Sequence, residues 1–206
     1  MKEKIFRILP LMLVIGIVLV GATSCSDDDD EVITSVVNIE EEAGLVYMRE
    51  EEKLARDVYI KLYEKWGLNM FDNISKSEQK HMDKLLTILD VNNILDPSLS
   101  DVGKFTNVEL QNLYNSLMAK GVISLNDALI VGATIEDVDI VDLQKYIDEA
   151  SDPIIISTYE SLMCGSRNHM RAFISQLASN GGSYTPQFMT QEEYDEVING
   201  SHESCN

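Results

Sequence analysis

Acids and imidazoles at helical spacing are the residues of this sequence that could do chemistry. Glu78 and His81 form a Glu-x-x-His pair, and three residues turn an α-helix through about 300°, so both side chains leave one face. Glu52 falls in line with Leu45, Met48, Ala55, Tyr59 and Leu62; Glu78 and His81 with Met82, Leu85 and Leu89. Glu136 and Asp139 share a stripe with Leu129, Gly132, Leu143 and Ile147, and His169 shares one with Leu162, Phe173 and Leu177. A core-facing stripe should be apolar, so these polar residues are the informative ones. Helix bundles build carboxylate-bridged di-metal centres from such a set, with Glu and Glu-x-x-His groups converging from four helices. A mixed carboxylate and imidazole set suits iron or manganese. Crowded carboxylates otherwise repel and partly protonate, a cost that a divalent cation removes.

The elements that must position these groups are helical. After about residue 38, strand-like alternation is scarce and Pro97, Pro153 and Pro186 fall at boundaries. The periodicity predicts helix A over 39–66, stopped by Gly67, and helix B over 75–90. Ser75 is read as the N-cap of helix B, with Glu78 at the capping-box position. Residues 91–106 read as a loop and 107–120 as a short helix. Helix C runs over 124–150. Ser151 and Asp152 make a short turn, Pro153 takes the first position of helix D, and helix D reaches Ser179. A small helix spans 190–198. Two short-looped pairs joined by about thirty residues give one long crossover, the connectivity of ferritin-like bundles rather than of a plain up-down bundle. Glu136 and His169 lie at similar depths from the C–D turn. Glu52 and Glu78 do not, so residues 67–74 are expected to climb ~20 Å as an extended strap.

The quoted motifs carry a family resemblance. Glu52-Lys-Leu-Ala-Arg-Asp-Val-Tyr59 and Glu78-Gln-Lys-His81-Met-Asp-Lys-Leu85 resemble the first- and second-helix stretches of ferritins. Met48 to Tyr59, Ser77 to His81, and Gly165-Ser-Arg-Asn-His169-Met-Arg-Ala-Phe173 are similar to the uncharacterised ferritin-like family called domain of unknown function 2202, over about residues 40–200. The resemblance implies an all-α ferritin-like four-helix bundle with metal roles for Glu52, Glu78, His81, Glu136 and His169. One position departs: three residues before His169, where a full di-iron template has Glu, this chain has Ser166. Asp139 is the candidate replacement, and an asymmetric, mononuclear or vacant site all stay open.

Other residues are read more plainly. Glu51 is the rival of Glu52, on a poorer stripe, and Glu50 is expected in solvent. Tyr59 is read as packing, Cys164 as a small buried hydrophobe, Glu160 as exposed, and His202 is assigned nothing. Cys164 and Cys205 are able to form a disulfide in an oxidising compartment, though nothing in the sequence shows that they meet.

The first 38 residues read as an address. Lys2, Lys4 and Arg7 precede an apolar run over 8–20, too short for a comfortable membrane span. Small residues then lead to Cys25. This resembles a bacterial lipoprotein signal over 1–25, with Ala22 where a large aliphatic is usual, and implies a lipid on Cys25. Residues 26–38 form an acidic tether, residues 39–200 the bundle and 201–206 a tail. The expected location is the outer membrane, facing the periplasm or the cell surface. Across 206 residues, 35 acids oppose 16 bases for a net charge of −19. That argues against phosphate-backbone binding, which needs clustered Lys and Arg, and is compatible with cations.

Overall fold

A computed structural model describes residues 37–205. The signal segment, Cys25 and most of the acidic tether lie outside the described residues. The described chain is all-α, with six helices: α1 (Ile39–Trp66), α2 (Asn69–Val91), α3 (Val108–Gly121), α4 (Leu125–Glu149), α5 (Pro153–Ser179) and α6 (Gln191–Asn199). None of them is long and apolar enough to cross a membrane.

The long helices form two hairpins, α1–α2 and α4–α5, and these pack through α1 on α4 and α2 on α5. The intervening crossover carries α3, which lies against α1 and α4. Leu45, Met48, Leu62, Leu85, Leu129, Leu162 and Phe173 are all fully buried between them, as their 3.6-residue spacing requires.

Helix ends follow side-chain chemistry. Asn38, Ser124, Asp152 and Thr190 each accept a backbone N–H from the first turn that follows, and Pro153 occupies the first turn of α5. The expected strap over 67–74 is absent. Gly67 closes α1 in the left-handed region at φ 66°, Leu68 is extended, and α2 begins at Asn69. Ser75 therefore sits inside α2, where its hydroxyl bonds back to the Asp72 carbonyl, and Glu78 caps nothing. Phe71 and Ile74 are buried. They extend the apolar stripe of α2 one turn toward Gly67, and that burial outweighs the missing cap. Nine residues of helix, about 13 Å, then lift Glu78 toward Glu52 without an ascending loop.

The crossover is tied down by charge. Arg49 pairs with Asp96 at 2.8 Å, and Lys53 reaches Asp57 at 2.5 Å and the carbonyls of Asp101 and Lys104. Glu50 is not in solvent: its two oxygens accept the backbone N–H groups of Thr106 and Asn107 at 2.6 and 2.9 Å. The crossover covers this face of α1, so a face that reads as solvated is buried.

Candidate metal centre

Each long helix supplies at least one group to a single buried locus. Glu52 comes from α1, Glu78 and His81 from α2, Glu136 and Asp139 from α4, and His169 from α5. The carboxylates of Glu52, Glu78 and Glu136 are each 2 % exposed. Two triads form, Glu52–Glu78–His81 and Glu78–Glu136–His169, with ligand-capable atoms within 4.8 Å of one another in each.

Glu78 belongs to both. One of its oxygens, Oε2, lies 2.8 Å from His81 Nδ1, and the other, Oε1, lies 2.8 Å from His169 Nδ1. Glu52 Oε2 stands 3.2 Å from His81 Nδ1, and Glu136 Oε2 3.5 Å from His169 Nδ1. The two imidazole rings are 5.8 Å apart, centre to centre.

The contacts are close but poorly directed as hydrogen bonds. Glu78 Oε1 and His169 Nδ1 approach within 2.8 Å yet neither makes a properly angled hydrogen bond, and Glu52 Oε1 has no partner. Buried polar atoms are nearly always satisfied. Unsatisfied lone pairs that converge on a shared point fit a cation placed among them better than they fit one another. The donor set, carboxylates with imidazole nitrogens, fits iron or manganese.

Electrostatics point the same way. Burial raises Glu52 to about 7, against the attraction of His81. Burial also raises Glu136 despite nearby His169, and raises Asp139 strongly with help from Glu52 and Glu136. Glu78 moves down: burial opposes its ionisation, but His169 and His81 outweigh burial. Burial disfavours both imidazolium ions, yet Glu52 and Glu78 hold His81 well above its ordinary value, and Glu78 and Glu136 hold His169 at about 10. Protons thus do within this locus what a dication would do in their place.

Several neighbours shape it. The Tyr59 hydroxyl donates to Glu136, so Tyr59 orients a ligand candidate as well as packing against Phe71 and Phe173. Ser166 donates to Asp139 Oδ2. Asp139 is thereby buried beside the locus but is in neither triad, facing the residue that replaces the template's Glu. Gly165 lets α5 approach: a Cβ there would stand 2.7 Å from His81 Nε2. Neither Gly165 nor the Ser166–Asp139 bond was foreseen from the sequence. A Gly in the middle of a long helix with a His four positions on is the signal that points to a close approach. Glu51, the rival of Glu52, is 1 % exposed, lies in neither triad and has no hydrogen-bond donor on either oxygen. Glu160 is exposed, as expected.

Cys164 and Cys205 form a disulfide, closing a loop of 41 residues. The sequence allowed this pairing without fixing it. It means that Cys164 is not simply a buried hydrophobe.

Comparison with known proteins decides the family. A model of an uncharacterized protein domain, DUF2202, matches residues 41–201. The chain belongs to the DUF2202 family. A relative in Methanocaldococcus jannaschii, the uncharacterized protein MJ0754, is 52 % identical over 168 residues, which span 81 % of this chain and 91 % of that protein. The crystal structure of that hypothetical protein superposes with a TM-score of 0.80, covering 81 % of this chain and 96 % of the solved one. The DUF2202 match begins within α1, ends two residues past α6 and includes all six candidate ligands.

Proposed function

We propose that this DUF2202 protein is a lipid-anchored, ferritin-like metalloprotein that holds two ions of iron or manganese at Glu52, Glu78, His81, Glu136 and His169. The observation that carries the reading is the place of Glu78, one oxygen on each triad. With one oxygen in each triad, Glu78 would help to hold an ion in either, a sharing that a lone structural ion does not need.

Bound there, iron or manganese would supply oxidation of the metal coupled to reduction of dioxygen or peroxide. The chain's own residues set the conditions. Glu52 with His81 completes one half-site and Glu136 with His169 the other. Burial shifts Glu52 and Glu136 toward their protonated forms in the metal-free protein, so ion entry displaces protons and strengthens with pH. The Tyr59 hydroxyl fixes the Glu136 carboxylate. The packed ring cluster of Tyr59, Phe71 and Phe173 keeps water from that end. Asp139 stays on Ser166 and leaves the half-sites unequal.

Ser166 favours a second reading, a non-catalytic helical binding or structural module with a degenerate metal site. Metal content separates the two. Protein purified from iron- and manganese-supplemented cells should carry two ions per chain, lose them in His81→Ala, and consume dioxygen when ferrous ion is added. Protein that stays metal-free and melts at one temperature with or without iron, manganese and zinc supports the second reading. The anchor is tested apart from the centre: mass spectrometry of the mature amino terminus should find diacylglycerol on Cys25, and Cys25→Ser should release the protein from outer membranes.

A further inference from the structure

The carboxylates of the centre are sealed, but its two imidazoles are not quite. The side chains of His81 and His169 keep 7 % and 11 % exposure, against 2–3 % for Glu52, Glu78 and Glu136. Both imidazoles line a cavity of about 520 Å³ between α2 and α5. The segment 202–205 lines it as well, together with Lys80.

That segment follows α6 and belongs to no helix. Among the described residues, it is fastened to a short stretch of α5 around His169. Cys205 is bonded to Cys164. Glu203 takes hydrogen bonds from Arg167 Nη2 and Arg171 Nη2 at 2.5 Å each. Asn168 donates to the Glu203 carbonyl and accepts its N–H, both at 3.0 Å. The Arg167–Glu203 pair is about a third exposed, and ion pairs open to water contribute little each. The disulfide is different in kind. It keeps Glu203 at high effective concentration beside its arginines, so the weaker contacts form because the covalent one holds.

We propose that this cavity is the port by which metal ions and small reactants reach the centre, and that residues 201–205 are a strap across it locked by the Cys164–Cys205 disulfide. The inference rests on the di-metal reading for what passes through the port. A dithiol reductant opens the lock by exchange. Its first thiolate attacks one sulfur and forms a mixed disulfide, and its second displaces the remaining protein thiolate. The reductant leaves as a disulfide, and Cys164 and Cys205 gain two electrons and two protons as thiols. With the lock open, the strap keeps its contacts through Glu203 and Asn168 and exchanges with an open form.

The test compares disulfide-intact protein, protein reduced with a phosphine and then desalted, Cys205→Ser, and Glu203→Gln. Equilibrium dialysis against Co²⁺ first measures how much ion each form holds. Stopped-flow addition of excess EDTA then measures how fast it leaves. Extraction is expected to quicken about tenfold or more on reduction and in Cys205→Ser, and about two- to threefold in Glu203→Gln, at unchanged stoichiometry. Rates within twofold of one another in all four forms overturn the strap. If no Co²⁺ binds to any form, the metal reading fails and the port is read from diethyl pyrocarbonate modification of His81 and His169. Faster modification in Cys205→Ser than in intact protein supports the strap, and equal rates reject it. Reduced wild type and Cys205→Ser lose the same bond by different routes, so agreement between them excludes misfolding of the variant.

Discussion

Glu50 and Glu52 stand two residues apart on α1, and both are 2 % exposed. Their circumstances are opposite. Glu50 accepts two backbone N–H groups from the crossover, whereas Glu52 Oε1 has no partner at all. The same division runs through the molecule. Asp137 is fully buried and accepts the backbone N–H groups of Gln187, Phe188 and Met189 together with the Tyr184 hydroxyl. Asp57 accepts from Lys53, Arg56 and the Gly103 N–H. Those acids organise loops. The acids of the centre face one another and two imidazoles, with too few donors to go round. Burial therefore does not mark a candidate ligand in this protein, and neither does a shortage of donors alone, which Glu51 shares; convergence of unsatisfied carboxylates on two imidazoles does.

The division can be broken from either side. The largest effect is expected at Glu78. Glu78→Ala removes the group common to both triads and should weaken metal binding by about two orders of magnitude or more, about 3 kcal/mol or more, with the loss shared by both ions in a calorimetric titration. Next is Asp137→Ala, which strands three backbone donors. Chemical denaturation should show about 3 kcal/mol of lost stability, with metal stoichiometry intact. A matched pair sharpens the contrast. Glu50→Gln is expected to cost the metal-free protein about 1–3 kcal/mol and to leave metal binding alone. Glu52→Gln should leave metal-free stability unchanged or improved, because it makes permanent the neutral form that burial already favours, while weakening metal binding. Equal behaviour of Glu50→Gln and Glu52→Gln would erase the distinction.

A smaller and more diagnostic effect lies in pH. Glu52 is raised from 4.5 to about 7, and His169 from 6.5 to about 10. Both shifts are upward, so both favour the protonated form on folding. Their stabilisation is complete below the unfolded values and fades as pH rises through the folded ones. Metal-free protein should therefore melt progressively lower between about pH 4.5 and 10. Glu78, shifted downward, has the opposite sign, and its contribution fades only below that window. Bound metal replaces the same protons, so the gap in melting temperature between loaded and metal-free protein should widen with pH by about 5 °C or more.

The sequence made the bundle legible because helices with one buried stripe advertise it. Residues such as Leu45, Met48 and Leu62 recur at the helical period, and the one-crossover connectivity follows from loop lengths. The same stripes picked out Glu52, Glu78, His81, Glu136 and His169, since a polar residue on an apolar face stands out. What the stripes could not give was third-dimensional cover. Glu50 lies off the core stripe and reads as solvated until the crossover is laid over it. The capping-box pattern at Ser75 hides the true start of α2, because the burial of Phe71 and Ile74 that continues the helix depends on the packing partners. Asp139 reads as a ligand by its spacing from Glu136, yet Ser166 draws it aside, a contact between two helices that no local pattern encodes. The Cys164–Cys205 bond joins residues 41 apart, a distance over which sequence alone sets no pairing.

The central claim, that Glu78 joins two metal-binding half-sites in one buried centre, is tested most directly by counting ions. Anaerobic titration of the metal-free protein with Fe²⁺, read by calorimetry and elemental analysis, should saturate at two ions per chain in the wild type. In Glu78→Ala neither ion should be held with the original affinity. A wild-type protein that takes up no iron or manganese, or a Glu78→Ala variant that binds both ions as before, would contradict it.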